Sequence, residues 1–222
     1  MEPSTPFGDL TVAGFVERLA SDDPVPGGGS AAAVAASLAA ALVAMVASLS
    51  TGRPRWAQHS ALHGVSTQAA RALADRLLAL ADEDAVAYAG FGAAMKMPRD
   101  TDDERAARSA AMSEAARIAS DVPYRTVEAC LEVVVLAEAL AGRCNANASS
   151  DLEVAALLAS ASARAAAANV YVNLPSIDDQ AAAGELLAAT EQLVGDTERL
   201  AALTRELVRG GEARPPVDVG RA

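Results

Sequence analysis

A carboxylate set into an apolar stripe is the first sign of chemistry in this chain. Leu73, Leu77, Leu80, Asp84, Tyr88, Phe91 and Met95 follow one another at spacings of three and four, so they share one helix face. A lone carboxylate there must be paired, hydrogen-bonded, or shifted to a higher pKa by desolvation. Such a group serves as a general acid or as counter-charge to a cationic intermediate; a structural ion pair or helix–helix hydrogen bond uses the same residue type. A second candidate is the run Pro24-Val25-Pro26-Gly27-Gly28-Gly29-Ser30, which leads straight into an alanine-rich segment. Two prolines and three glycines make a tight loop, and Ser30 reads as an N-cap. A glycine loop feeding a helix presents free backbone N–H groups with partial positive charge behind them, a place for a carboxylate or phosphate. A stiff turn before a buried helix uses the same residues.

Further polar candidates lie downstream. Asn145-Ala146-Asn147-Ala148-Ser149-Ser150-Asp151 is dense in polar groups between two apolar stretches. Two amides and a carboxylate at a helix start suit the donor–acceptor edge of a heterocycle, and they equally suit a turn and its cap. Asn169 and Asn173, four apart, pose the same choice between helix end and ligand contact. Lys96 and Arg99 stand where a helix stops, and Arg53 and Arg55 flank the alanine-rich segment. In an acidic chain these four are the anion-binding candidates, with helix-end stabilisation as the plain alternative. His59 and His63 have the i, i+4 spacing that can hold a metal, but no third ligand stands nearby, and no metal site is expected. No Ser-His-Asp arrangement, GxGxxG or Walker loop is present.

The elements that must position these groups read as helix throughout. The pattern predicts helices over 9–20, from the glycine loop to about 50, over 55–97, from 101 through a break or kink at Pro123 to about 142, over 150–168, and from 176 to about 208. Thr101-Asp102-Asp103-Glu104 and Ser150-Asp151-Leu152-Glu153 read as capping boxes. Residues 1–209 form one domain, with 210–222 a disordered tail.

Composition agrees with this. Of 222 residues about a quarter are Ala and 3% aromatic, which favours a single-domain, all-α antiparallel bundle of long Ala-rich helices. Small side chains bury little area each, so a homodimer sharing helical faces is the expected state. A net charge of −11 argues against nucleic acid as a partner. Cys130 and Cys144 offer no disulfide framework, the N-terminus has no secretory pattern, and a cytoplasmic location is expected. Residues 31–49 carry no charge and are long enough to span a bilayer, but a helix buried inside an oligomer suits their alanine content better, and no membrane is expected.

Taken together, the segments resemble the formiminotransferase-cyclodeaminase C-terminal domain family, which includes single-domain methenyltetrahydrofolate cyclohydrolases. The resemblance rests on residues 15–20 with the PGGGS loop, Asp84-Ala85-Val86-Ala87-Tyr88, Ala94-Met95-Lys96-Met97-Pro98-Arg99, residues 119–123, the Asn145–Asp151 run and Asn169-Val170-Tyr171-Val172-Asn173-Leu174, in that order over roughly residues 8–200. Cys144 stands where the family usually has Gly, Glu153 where it tends to Gly, and Arg99 where it has Lys. The resemblance implies a dimeric all-α enzyme acting on one-carbon units of tetrahydrofolate, without metal or redox cofactor. The reaction is cyclohydrolase (5,10-methenyl to 10-formyl) or, alternatively, cyclodeaminase (5-formimino to 5,10-methenyl with ammonia release). On this reading Asp84 or Asp151 counters the cation and moves the proton. Asn145, Asn147, Asn169 and Asn173 orient the substrate. Gly27, Gly28, Gly29 and Ser30, with Lys96 and Arg99, hold the glutamate tail, which can be polyglutamylated. A separately encoded formiminotransferase is a possible partner. A non-catalytic, folate-binding or scaffold helical oligomer is the competing class.

Overall fold

The computed structural model describes residues 5–210, and among them there is no strand. Six α-helices follow in order: α1 (Val12–Leu19), α2 (Gly28–Ser50), α3 (Ser60–Met95), α4 (Asp102–Leu140), α5 (Ser150–Asn173) and α6 (Gln180–Gly210), with short 3-10 turns at Phe7–Asp9, Pro54–His59, Ala146–Ala148 and Leu174–Ser176. Of the tail expected over 210–222, Gly210 belongs to α6 and residues 211–222 lie outside the described residues.

Helix α2 is the centre of the fold. It packs on α3, α5 and α4, while α6 covers α4 and α5. Its buried positions are almost all Ala, Val or Ser, including Ala32, Ala36, Ala39, Ala40 and Val43, so neighbouring backbones can approach closely. It is long and apolar enough to cross a bilayer by length and composition, yet 56% of its most apolar window is buried inside this fold. The register of the bundle is set by polar contacts between neighbours. Ser37 Oγ donates to the Ala74 carbonyl and Ser30 Oγ to that of Ala81, which makes α2 and α3 antiparallel. Arg76–Glu132 and Arg125–Glu83 do the same for α3 and α4, as do Arg164–Glu198 and Arg209–Glu153 for α5 and α6.

Helices α1, α3 and α6 begin three to five residues later than expected, and four further features differ. Helix α2 begins at Gly28 with Gly27 as N-cap, so Ser30 lies inside the first turn rather than capping it. The Thr101 box forms in full, but Ser150 is not a cap: Ser149 precedes the helix, and no side chain caps it. Helix α5 runs on to Asn173, five residues past the expected stop. Pro123 sits buried within α4 without ending it. Proline cannot donate to the carbonyl four residues earlier, that of Ala119. Asn173 Nδ2 from α5 takes that carbonyl at 3.0 Å, so the lost helical bond is replaced from a neighbour. At the far end of α4, Gly142 adopts φ +73°, the left-handed turn that lets the chain leave the helix.

Candidate active site

The site gathers at the N-terminus of α2. Asp84 reaches across from α3 to that end, and Ser30 Oγ lies 3.0 Å both from Asp84 Oδ2 and from the Ala81 carbonyl. Its backbone N–H also bonds the carboxyl. Asp84 thus caps α2 from another helix, the role that Ser30 was expected to fill. The contact is close. A Cβ on Gly29 would stand 2.2 Å from Asp84 Oδ1, so glycine is required there for the carboxyl to reach the helix end. Burial pushes the Asp84 pKa above its ordinary value, and the side-chain and backbone hydrogen bonds from Ser30 oppose that shift without cancelling it.

A cavity of about 440 Å³ opens beside this carboxyl. Gly27, Gly28 and Gly29 form one wall, Asp84 and Tyr88 another, and Asn169 and Asn173 a third. Asn169 Nδ2 donates to the Ala165 carbonyl, and Asn173 Nδ2 to those of Ala119 and Asn169, so the amide nitrogens are fixed by α4 and α5. Neither amide oxygen accepts a hydrogen bond among the described residues. The cavity therefore offers two amide acceptors and one carboxyl beside a half-exposed phenol ring, with Tyr88 51% exposed. That set suits a flat heterocycle with N–H donors along one edge. The apolar stripe of α3 divides accordingly: Leu73, Leu77 and Leu80 are core, while Tyr88 and Phe91 line the cavity. These two aromatic residues were absent from the candidate set, although their spacing from Asp84 on the same face was the signal that could have found them.

A second cavity, of about 480 Å³, adjoins the first through Ser176. Arg99, Arg105 and Arg108 line it with Asp178. Arg108 donates to the Met95 carbonyl at the end of α3, and Arg105 to the carbonyls of Arg99 and Asp100 and to Asp102. The Arg99 side chain makes no such bond among the described residues. Lys96 is the exposed C-cap residue of α3 and lines neither cavity.

The other candidates lie elsewhere. Asn145, Asn147 and Asp151 sit at the opposite end of α2, where the Asn145 backbone N–H donates to Ser50 Oγ at 2.8 Å. Asn145 Oδ1 accepts the Asn147 N–H, a local turn, and the exposed Asn147 side chain makes no bond among the described residues. Arg53 Nε donates to the Leu49 carbonyl and Arg55 lies over Trp56, both at that same end. His63 is buried with Nε2 2.8 Å from the Arg143 carbonyl, and among the described residues no three His, Cys, Asp or Glu side chains gather as metal ligands. Cys144 is buried, and Glu153 turns toward α6, where it meets Arg205 and Arg209. Neither residue lines the Asp84 cavity.

Comparison with known proteins adds four findings. Residues 11–192 match the family model described as formiminotransferase-cyclodeaminase. The chain is 39% identical over 189 residues, 85% of its length and 91% of the relative's, to a methenyltetrahydrofolate cyclohydrolase of Methylorubrum extorquens. It is 32% identical over 200 residues to a formimidoyltransferase-cyclodeaminase of Gallus gallus, covering 90% of this chain but only 37% of that longer protein. The structure of a formiminotetrahydrofolate cyclodeaminase from Thermotoga maritima superposes with a TM-score of 0.83 over 91% of this chain and 98% of that one; at 24% identity the likeness concerns the fold.

Proposed function

The chain belongs to the formiminotransferase-cyclodeaminase family, and on that premise we propose that it is a tetrahydrofolate one-carbon enzyme acting as a methenyltetrahydrofolate cyclohydrolase. The observation that carries the reading is the raised-pKa carboxyl of Asp84 at the wall of a cavity whose other polar groups are amide oxygens. The cyclohydrolase name of the Methylorubrum relative, matched over nearly the full length of both chains, supports the choice of reaction.

In 5,10-methenyltetrahydrofolate the bridging carbon carries positive charge shared with N5 and N10. The Asp84 carboxylate counters that charge and accepts a proton as water adds to the carbon. The resulting tetrahedral adduct breaks its C–N5 bond, Asp84 returns a proton to N5, and the carbon stays on N10 as a formyl group. One water is consumed and one proton is released. Asn169 and Asn173 accept from the pterin N–H edge, Tyr88 covers its face, and Arg99 in the adjoining cavity receives the glutamate tail. Lys96 lines neither cavity and is given no part in that last role. The working form is a cytoplasmic homodimer.

The four animal relatives of 31–32% identity keep the cyclodeaminase reading as the second arm of the test. In that case a separate formiminotransferase would supply the substrate. Loss of 5,10-methenyltetrahydrofolate absorbance, corrected for spontaneous hydrolysis, is the assay. Acceleration above background that disappears in Asp84→Asn is the expected result. Ammonia release from 5-formiminotetrahydrofolate without that acceleration would exchange the reaction for cyclodeamination, and inactivity on both would overturn the folate reading.

A further inference from the structure

Pro123 is buried in the middle of α4, four residues after Ala119, which lines the Asp84 cavity. Proline has no N–H to offer the Ala119 carbonyl, and its ring crowds that carbonyl off the helix axis. A proline inside a helix is among the costliest choices for local stability, and such a conflict between local preference and fold is a sign of a functional position. The unpaired carbonyl it creates stands at the cavity wall, and an unpaired carbonyl inside a fold calls for a donor. That donor comes from α5. Asn173 Nδ2 lies 3.0 Å from the Ala119 carbonyl and 2.9 Å from the Asn169 carbonyl of its own helix.

These two bonds decide which way the amide points. A carboxamide has two donor protons on nitrogen and two acceptor lone pairs on oxygen, in nearly the same shape. With both carbonyls in place each Nδ2 proton has an acceptor, and a flipped amide would set its oxygen against two carbonyl oxygens. The oxygen is left for the cavity, which Asn173 lines. With the Asn169 carbonyl alone, one proton would lack a partner, and the amide would be free to turn a donor toward the cavity instead. Asn169 shows that looser case, with a single bond from its nitrogen to the Ala165 carbonyl.

We infer that Pro123 is a positioning residue for substrate binding: the Ala119 carbonyl that it leaves unpaired holds the Asn173 amide with its oxygen toward the cavity. The inference rests on the folate reading, in which that oxygen accepts from the pterin N–H edge. Pro123 does not itself line the cavity and acts through Asn173. Alanine at this position would supply the missing N–H, draw the Ala119 carbonyl back to its helix and weaken the hold on the amide.

A double-mutant cycle in KM tests the link. The pterin edge is remote from the reacting carbon, so losing a contact there weakens substrate and transition state alike and shows in KM. Asn173→Ala should raise the KM for 5,10-methenyltetrahydrofolate about ten-fold and Pro123→Ala about three-fold, each with kcat within about two-fold of wild type. Added to Asn173→Ala, Pro123→Ala should raise KM no further, because the amide it acts on is gone. A merely structural proline would give the same factor in both backgrounds. That result, or an unchanged KM in either single variant, would overturn the inference. Asn173→Ser takes the place of Asn173→Ala in the cycle if the alanine variant does not fold.

A measurement without folate separates the inference from the reading it rests on. The chain has four asparagines, so isotope-labelled asparagine gives few side-chain amide signals, and that of Asn173 is the one lost in its own variants. Its protons should exchange with solvent at least about five-fold faster in Pro123→Ala than in wild type. Equal exchange in the two proteins would overturn the positioning of Asn173 by Pro123. A wild type inactive on both folate substrates, yet showing the change in exchange, would overturn the folate reading and the substrate role while retaining the link between Pro123 and Asn173.

Discussion

Replacing Gly29 by alanine probes the site by a fraction of an ångström. The added Cβ would lie 2.2 Å from Asp84 Oδ1, 2.6 Å from Cγ and 2.7 Å from Oδ2. Ordinary contact begins near 3.4 Å, so the carboxyl must withdraw by about 1 Å. The obstructing atoms are the end of a side chain, and the helix backbone need not move. Withdrawal stretches the bond to Ser30 Oγ, at about 1 kcal/mol, while alanine in place of glycine within a helix returns up to about 1 kcal/mol. Stability therefore stays within about 1 kcal/mol of wild type. A displacement of about 1 Å at a proton-transferring group costs on the order of 100-fold in rate. Methenyltetrahydrofolate hydrolysis by Gly29→Ala should accordingly fall by about two orders of magnitude in kcat with the urea midpoint little changed. Gly195→Ala, whose Cβ meets nothing within 4 Å on α6, serves as control and should keep full activity. An unimpaired Gly29→Ala enzyme would refute the claim that the position of Asp84 against the α2 end governs the chemistry.

Other regions give shorter tests. Burial pushes the Cys130 thiol up to about 12 and the Cys144 thiol up to about 11, so neither should react with a thiol reagent at pH 8 until the chain is unfolded; rapid native labelling would contradict their burial. Asn173→Ala leaves the Ala119 carbonyl without its partner and should destabilise the fold by about 1–3 kcal/mol in urea denaturation. Pro123→Ala restores a helical donor to that same carbonyl, so the double variant should recover about 1 kcal/mol or more of the loss; additivity within about 0.5 kcal/mol would refute the replacement.

Much of the fold was legible because helix punctuation is local. Pro, Gly and the Thr101 box marked ends correctly, since they act through the backbone of their own segment. Two of the misread features involve a distant partner. Pro123 reads as a break until Asn173, fifty residues later, supplies a donor. Ser30 reads as a cap until Asp84 takes the position first. The site was legible in the same uneven way. Asp84 stood out because a carboxyl interrupting an apolar face is visible at helical spacing, and Tyr88 and Phe91 follow by the same spacing. Motif order carried no information about distance, so Asn145, Asn147 and Asp151 appear beside Asp84 in the sequence reading although α2 separates them.

Asp84 finally sets stability against function in a way that pH exposes. Burial raises its folded pKa above the ordinary 3.8, while hydrogen bonds from Ser30 and the α2 end pull the other way and are outweighed. A carboxyl with a raised folded pKa contributes stability that is fully present below its unfolded value. That contribution is lost as pH rises through the folded value, because the native state then holds a charge that the unfolded chain would hydrate better. At neutral pH the wild type therefore carries a cost that a neutral amide of the same shape avoids. Asp84→Asn should melt at or above the wild-type temperature at pH 7, and the difference should shrink as pH falls into the carboxylate range, although the variant is catalytically inert. Paired melting curves across that range decide the matter. A wild type that is the more stable protein at pH 7 would mean that the helix end, rather than burial, governs this carboxyl, and Asp84 would then be a structural cap first.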